Sequence, residues 1–465
     1  MAPPIATRPD LPDATELLRQ VHEGERTAED LVREHLDRLD LEHPRINAAT
    51  TVFREKALEG VKKPRAGPLS GLPMSVKETF AIAGEEITAG SIRMPPIPCE
   101  EDAVVVSRLR KAGAIILARS NVPEFAMNPE TSNLRYGRSN NPLDPSRTSG
   151  GSSGGEGALV ASGSTAAGVG SDILGSIRFP AAFCGVVGFK PSSEAVDGAG
   201  IWPEVDGYMA SWFGAGPIAR SVRDARLIYD VIAREPTATK RLPVGLRLVV
   251  PRRFRMKVDP AIRRALDRGR VVLEAAGMVT EEQPFPDVGR LFLGVGPLLR
   301  NDFLPMMRRD LTTDEGKRFS LAIEAIARLF RQPTVDPLLF RLLVVASLLP
   351  PSKGLVRRAT SAFERARAHY RDLLGEDGIL LLPAVGTFPP KHGRLNRKCY
   401  RPGVVGVITA ATFCNYVDLS AISVPAWAEA DPRTGFPPGV MLACAPGQES
   451  RLLDAAAALE EGISA

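Results

Sequence analysis

Residues 149–188 restrict the fold of this 465-residue chain more than any other segment. The segment is crowded with glycine, serine and alanine and has very few charged residues. Small side chains let backbones pack closely, and glycine adopts dihedral angles that other residues avoid. We therefore expect a tightly packed, buried region in which serine hydroxyls lie close to the main chain.

The rest of the chain alternates between strand and helix patterns. Thr27, followed by Asp30, resembles a capping box at the start of a helix that runs to Asp40. An apolar strand at residues 244–250 precedes a second helix, which begins at Asp259 and Pro260. This alternation predicts an α/β fold. A Lys-, Pro- and Gly-containing connection at 62–68 predicts an N-terminal helical segment, 1–62, packed on a larger domain, 63–465.

Composition argues against several classes of protein. The net charge of +5 is not concentrated in a basic arm, so no nucleic-acid partner is expected. The five cysteines are widely spaced, without a Cys-x-x-Cys pair or histidines at metal-ligand spacing, and we expect neither a metal nor another cofactor. The first ten residues lack the basic head and apolar stretch of a signal peptide, which favours a cytoplasmic protein.

The glycines do not have the spacing of a phosphate-binding loop. A dinucleotide fingerprint that began at Gly155 or at Gly168 would need a further glycine at Val160 or at Ile173. No Gly-Lys-Ser/Thr run is present. We therefore do not expect a dinucleotide or P-loop site.

Serine chemistry in this chain would need a base other than histidine. Three of the five histidines lie in the N-terminal helical region, and no Gly-x-Ser-x-Gly elbow stands between a strand and a helix. Lys77 follows apolar residues, and burial would lower its pKa as a base requires. The same local pattern also fits a lysine paired with Glu78 at the end of a strand, and on local evidence alone this second interpretation is favoured.

A longer motif resembles that of a known family. The run GGSSGGEG at residues 150–157 resembles the signature of the amidase family, and SDILGSIRFPA at 171–181 resembles the family's nucleophile segment. The C-terminal runs at 380–383, 422–425 and 448–453, together with Asn415, extend the resemblance to about residues 12–460. Within the family, the wording at 154–159 and 177–185 is most similar to fatty acid amide hydrolase-like members.

The resemblance implies a fold, a reaction and a set of site residues. The fold is a single large α/β domain with a central twisted mixed β-sheet covered by helices on both faces. The reaction is hydrolysis of a linear carboxylic amide through an acyl-enzyme, with Ser176 as nucleophile, Ser152 as bridging hydroxyl after a cis peptide bond, and Lys77 as base. The other implied residues are oxyanion or substrate contacts and structural supports: Ile173, Leu174, Gly175, Met127 and Ser149, and then Ser153, Asp172 and Arg178.

Leu174 departs from the family pattern, which normally has glycine there. Leucine does not adopt positive φ cheaply. If the loop keeps its usual shape, the Leu174 side chain points into or beside the pocket and narrows it. Alternatively, the backbone donors are displaced and activity is low.

The region at about 287–368 is rich in Leu, Phe and Met, and we expect it to form the wall of the substrate pocket. Its residues 337–358 resemble a membrane-facing cap, although a buried helix or a homodimer contact fits the same pattern. Two other functions stay open. One is the catalytic subunit of a tRNA-dependent amidotransferase, and the other is an inactive binding scaffold.

Overall fold

A mixed β-sheet of eleven strands runs through the part of the chain that the structure describes. The structure is a computed structural model, and it describes residues 11–63, 65–204, 207–237, 245–254, 256–284, 288–312, 316, 318–350, 352–395 and 410–463. In sheet order the strands are β1 (Ala49–Val52), β5 (Ile115–Ser120), β2 (Pro73–Lys77), β8 (Ala167–Asp172), β10 (Gly214–Ala219), β9 (Val187–Lys190), β14 (Ser420–Pro425), β15 (Gly439–Cys444), β13 (Gly378–Pro383), β11 (Arg247–Pro251) and β12 (Val279–Gln283).

Two short hairpins and the helices complete the described elements. The hairpins are β3–β4 (Glu86–Ile87, Ile97–Pro98) and β6–β7 (Ser132–Asn133, Gly137–Arg138). The helices are α1 (Ala14–His22), α2 (Ala28–Ile46), α3 (Arg54–Val61), α4 (Val104–Lys111), α5 (Gly154–Ser162), α6 (Arg178–Cys184), α7 (Val222–Ile232), α8 (Pro260–Ala275), α9 (Val288–Leu298), α10 (Leu304–Asp310), α11 (Leu321–Leu329), α12 (Pro337–Leu348), α13 (Lys353–Leu374) and α14 (Glu449–Ile463). They flank the sheet, so the predicted α/β fold is confirmed.

Local signals placed two helix starts correctly. Thr27 and Asp30 form the reciprocal capping box that begins α2. Asp259 caps α8, whose first residue is Pro260. The strand expected at 244–250 is β11, which begins at Arg247; residue 244 lies outside the described residues.

The N-terminal segment is not wholly helical. Its strand β1 pairs with β5 at one edge of the sheet, which ties residues 49–52 to the core through main-chain hydrogen bonds. Helix α1 is fixed by Asp224, whose carboxylate accepts the N–H groups of Ala14 and Thr15 at 2.7 and 2.8 Å. The boundary at residue 62 stays a prediction.

The sheet brings Lys77 and the segment that leads to Ser176 to the same edge. Strand β2 pairs in parallel with β8, with Ser75 opposite Gly168, so Lys77 and Asp172 end neighbouring strands on the same side of the sheet. Helix α5 precedes β8 and α6 follows it. Both helices are completely buried, in agreement with the expectation for segment 149–188, and they bury the charged residues Glu156 and Arg178 as well.

Helices α9 to α13 form a cap that belongs to the predicted region 287–368, of which 287, 313–315, 317 and 351 lie outside the described residues. Helix α12 buries Leu339, Leu342 and Leu343 in a cluster with Phe125 and Phe303. Helix α11 has the opposite arrangement, since it buries Glu324 and exposes Ile323, Ile326 and Leu329.

The described helices were also compared with the length and apolar character of a membrane span. None of them alone is long and apolar enough to cross a bilayer. Helices α12 and α13 meet these requirements only when taken together, and they are bent by 115° at their junction.

Candidate active site

Lys77, the last residue of β2, is completely buried and faces hydroxyl groups. Its side-chain nitrogen Nζ donates to Ser152 Oγ at 2.8 Å, to Ser171 Oγ at 2.9 Å and to the Ser171 carbonyl at 3.2 Å. Burial lowers the pKa of Lys77 to about 7, against the opposing influence of Asp172 and Glu156. A large fraction of the Lys77 side chains is therefore uncharged near neutral pH.

The alternative pairing of Lys77 with Glu78 does not form. Glu78 instead accepts hydrogen bonds from the N–H and hydroxyl groups of Thr88 at 2.7 and 2.8 Å. Its carboxylate also lies 3.5 Å from the guanidinium of Arg119.

The serines of the two motifs converge on one cavity. Ser152, Ser171 and Ser176 all line it, and the peptide bond that enters Ser152 from Gly151 is cis, as the resemblance implies. The Ser153 N–H donates to the Ser176 carbonyl at 3.1 Å, which joins the two motif segments directly. The structure thus brings Lys77, Ser152 and Ser176 together.

A buried ion pair holds the loop that carries Ser176. The Arg178 guanidinium donates to the Asp172 carboxylate at 3.0 and 3.1 Å, and both side chains have no exposed surface. Asp172 also accepts the N–H groups of Gly175 at 2.7 Å and Ile177 at 3.0 Å. Although burial opposes it, Arg178 holds the pKa of Asp172 well below its usual range. Asn415 completes the network, with Nδ2 2.9 Å from Asp172 and Oδ1 2.7 Å from Arg178.

The loop between Asp172 and Ser176 differs in detail from the expectation. Gly175 takes the positive φ, 103°, and Leu174 does not, so the leucine is accommodated without a left-handed backbone. The Gly175 N–H, expected among the oxyanion donors, donates to Asp172. The N–H groups of Leu174 and Ser176 have no acceptor among the described residues. Ile173 and Leu174 line the cavity, and both also pack against the hydrophobic core.

The cavity has a volume of about 620 Å³ and a largely apolar wall. Motif segments contribute Ser152, Ser171, Ile173, Leu174, Ser176 and Phe179, and the cap contributes Asn301, Asp302, Phe303, Pro305, Met306 and Arg309. The cap residues come from α10 and from a π-helical turn, Leu299–Phe303, that precedes it. The apolar run in α12 does not line the cavity; Leu339, Leu342 and Leu343 pack into the cluster that contains Phe125 and Phe303.

A short segment with unusual backbone geometry forms another part of the wall. Phe125 and Ala126 both have positive φ, 55° and 52°, and with Met127 they line the cavity. The preceding Glu124 is buried and accepts hydrogen bonds from the Ser91 hydroxyl, at 2.6 Å, and from the N–H of Asp336. Since Asp336 caps α12, Glu124 connects this part of the wall to the cap.

One predicted substrate contact is not at the cavity. Ser149 is fully buried and does not line it; its hydroxyl lies 2.7 Å from the point that a Cβ on Gly154 would occupy. Three residues contribute to the site without having been predicted to do so. Ser171 accepts a hydrogen bond from Lys77, Asn415 binds Asp172 and Arg178, and Glu156 affects the pKa of Lys77. Ser171 could have been found from the sequence, because it immediately precedes the bracing Asp172 in a strand that pairs with β2.

Comparison with known proteins agrees with this geometry. Residues 30–453 match the family model described as Amidase. The chain belongs to the amidase family. The amidase is 31% identical to a glutamyl-tRNA(Gln) amidotransferase subunit of Thermus thermophilus, over 97% of each chain. It is 35% identical to fatty-acid amide hydrolase 1 of Sus scrofa, over 56% of this chain and 48% of that protein.

The similarity extends to solved structures. A crystal structure of an amidase superposes with a TM-score of 0.82 at 27% identity, covering 97% of this chain and all of that one. Several alignments with curated relatives are shorter and cover between 48% and 60% of the relative's length.

We predict that Asp172→Asn destabilises the amidase because it leaves the Arg178 guanidinium buried without a counter-charge. Breaking a buried pair in this way typically costs about 3 to 5 kcal/mol. Urea unfolding measures the loss. The matched control is Asp40→Asn, which breaks an exposed pair with Arg54 and is expected to cost under about 1 kcal/mol. Equal stability of the two variants would contradict the bracing role.

Proposed function

We propose that the amidase hydrolyses carboxylic amides whose acyl or amine part is hydrophobic or aryl, through a Ser176–Ser152–Lys77 triad. The observation that carries the proposal is the 2.8 Å contact between Lys77 Nζ and Ser152 Oγ at a cavity that also contains Ser176. No histidine is needed, because burial lets the lysine lose its proton near pH 7 and so act as the base.

In the proposed reaction, protons move along the triad in both directions. Uncharged Lys77 accepts the proton of Ser152 while Ser152 accepts that of Ser176, whose oxygen attacks the amide carbonyl. In this proposal the N–H groups of Leu174 and Ser176, which have no acceptor among the described residues, stabilise the developing oxyanion. As the C–N bond breaks, Ser152 returns the proton to the leaving nitrogen, and water then hydrolyses the acyl-enzyme.

The cavity wall supports the hydrophobic character of the substrate. Phe125, Met127, Phe179, Met209 and Phe213 face the space beside the serines. A volume of about 620 Å³ is within the range of ordinary small-molecule sites. Membrane contact through residues 337–358, a homodimer and a cytoplasmic location stay predictions.

A second candidate is favoured by the similarity to the amidotransferase of Thermus thermophilus. In that role the chain would release ammonia from glutamine for a partner protein. The wall is largely apolar, which favours a hydrophobic substrate over glutamine, although Asp302 and Arg309 also line the cavity. Glutaminase activity, or copurification of a partner protein, would favour this candidate over a free-standing amidase.

We expect Ser176→Ala to lose labelling by a fluorophosphonate probe, and its amide hydrolysis to fall by about 10⁴- to 10⁶-fold, because the nucleophile is removed. Intact-mass analysis and turnover of acyl anilides measure the two effects. Ser146→Ala, an exposed serine outside the cavity, is the control and should react as wild type. Labelling that survives in Ser176→Ala would overturn the nucleophile assignment, and a wild-type chain that neither labels nor hydrolyses any amide would favour a binding scaffold.

The rate of probe acylation is expected to rise with pH through about 7 and then to level off. The lysine is the base only when uncharged, and burial sets its pKa at about 7 instead of its usual value above 10. The probe's own hydrolysis rate in each buffer is the control. A rise centred near pH 10 would contradict a buried, depressed Lys77.

Leu174→Gly should widen the cavity and raise turnover of bulky acyl amides about tenfold relative to short linear ones, which is the range expected for a few methylene groups. A graded panel of acyl anilides measures the ratio. Leu174→Met, which conserves volume, is the control and should keep the wild-type order. Identical profiles for wild type and Leu174→Gly would reject a role for Leu174 in specificity.

A further inference from the structure

Residues 124–131, which we call the wall segment, form part of the cavity wall and are held at each end by a different part of the molecule. Within this segment Phe125 and Ala126 have positive φ, 55° and 52°. Residues other than glycine rarely adopt this conformation, and it persists only where surrounding contacts hold it. The contacts at the two ends therefore decide where the Phe125 ring lies.

The C-terminal end of the wall segment is fixed to the loop that carries Ser152. The N–H and hydroxyl groups of Thr131 both donate to the Gly150 carbonyl, at 3.0 and 2.9 Å. A Cβ on Gly151 would lie 2.6 Å from the Asn128 carbonyl oxygen, so the two backbones are in close contact. These contacts involve no residue of the cap.

The N-terminal end is held by the carboxylate of Glu124, which is 1% exposed. One oxygen, Oε1, accepts the Ser91 hydroxyl at 2.6 Å, and the other, Oε2, accepts the N–H of Asp336. Asp336 is the N-cap of α12, since its carboxylate accepts the N–H of Leu338 at 2.8 Å. A further contact between the wall segment and Asp336, from the Asn128 amide, is 3.5 Å long. Glu124 thus makes the shorter link between the wall segment and the cap.

Phe125 lies between the cavity and the cap. It lines the cavity, and it belongs to the cluster that contains Phe303 and Leu339 of the cap. The rings of Phe125 and Trp202 meet edge to face, with centroids 5.1 Å apart. Apolar packing is non-directional. The hydrogen bonds of the neighbouring Glu124 therefore supply the directional contact that packing lacks.

We propose that Glu124 is a positioning residue that determines how well the amidase accepts amides with a large hydrophobic part. Because it binds the start of α12, it keeps Phe125 against the substrate space when such a group enters. Glu124 does not line the cavity, so it acts through Phe125 and not through contact with the substrate. The inference rests on the proposed function, since it concerns the size of the amide that the serines cleave.

The test is Glu124→Ala, which removes both hydrogen bonds of the carboxylate. We expect kcat/KM for long-chain acyl anilides to fall about tenfold, mainly through KM, because Phe125 no longer covers the apolar part of the substrate. For acetanilide, kcat/KM should stay within about twofold, as should acylation by a small fluorophosphonate, because the triad is unchanged.

Two conditions make this comparison specific. Titration of the reactive serine with the probe corrects every rate for the folded fraction, so a loss of stability alone does not alter the ratio of long-chain to short-chain turnover. Burial raises the pKa of Glu124 to about 7, so assays at about pH 8.5 compare the variant with an ionised carboxylate.

Glu449→Ala is the matched control. Glu449 is also a buried carboxylate that accepts two hydrogen bonds, from the hydroxyls of Ser192 at 2.8 Å and Ser420 at 2.7 Å, but it lies outside the cavity wall. It should lose stability in urea without a change in the long-to-short ratio. A ratio unchanged in Glu124→Ala, or lowered equally in Glu449→Ala, would overturn the inference.

Hydrogen exchange distinguishes failure of the inference from failure of the proposed function. In Glu124→Ala we expect faster amide exchange at 335–340, where α12 begins, and no change at 449–463. Unchanged exchange at 335–340 would contradict the link to the cap even where amide hydrolysis is established. A wild-type chain that neither labels nor hydrolyses any amide would instead reject the proposed function.

Two milder variants apply if Glu124→Ala does not fold, as judged by circular dichroism. Glu124→Gln keeps one accepting oxygen, and Ser91→Ala removes one donor but leaves the bond to Asp336 in place. Both should lower the long-to-short ratio by less than tenfold, about two- to fivefold. Wild-type ratios in both folded variants would also count against Glu124 as a positioning residue.

Discussion

The loop that bears Ser176 depends on the ion pair between Asp172 and Arg178. Two buried, opposite charges are stable together only when hydrogen bonds satisfy their remaining groups. Here Asn415 and the N–H groups of Gly175 and Ile177 do so, and they tie the loop to helix α6 and to a distant part of the chain. The position of the serine is therefore fixed by electrostatics inside the core and not by packing of its own small side chain.

The same dry interior gives Lys77 its chemistry. An amine in water would be charged at neutral pH, and burial makes the uncharged form accessible, while three oxygens of Ser152 and Ser171 hold the amine in position. Glycine and serine in β8 and α5 allow this close approach, because larger side chains would separate the strand from the helix. Gly168 illustrates the constraint, since any side chain there would meet the carboxyl of Glu156.

Much of this arrangement could be predicted from sequence, but through different kinds of signal. The starts of α2 and α8 followed from the local capping residues Thr27 and Asp259. The roles of Lys77, Ser152 and Ser176 followed from resemblance to a family, because local evidence alone favoured a pairing of the lysine with Glu78. The contacts of Asn415 with Asp172 and Arg178 and the burial of Ser149 depend on distant segments, for which local periodicity carries no signal. The Gly175 N–H donates to Asp172 three residues away, through a loop shape that the sequence pattern does not specify.

Two parts of the chain form the cavity wall, and they have different roles. The glycine-rich strands and helices supply the reacting hydroxyls, while the π-helical turn and α10 supply much of the surface that a substrate's body would meet. Substitutions in that turn would change the volume and shape of the cavity and leave the hydroxyl network intact. Chains that share the motif can thus diverge in what they accept, and laboratory redesign of selectivity would begin with these exchangeable wall segments.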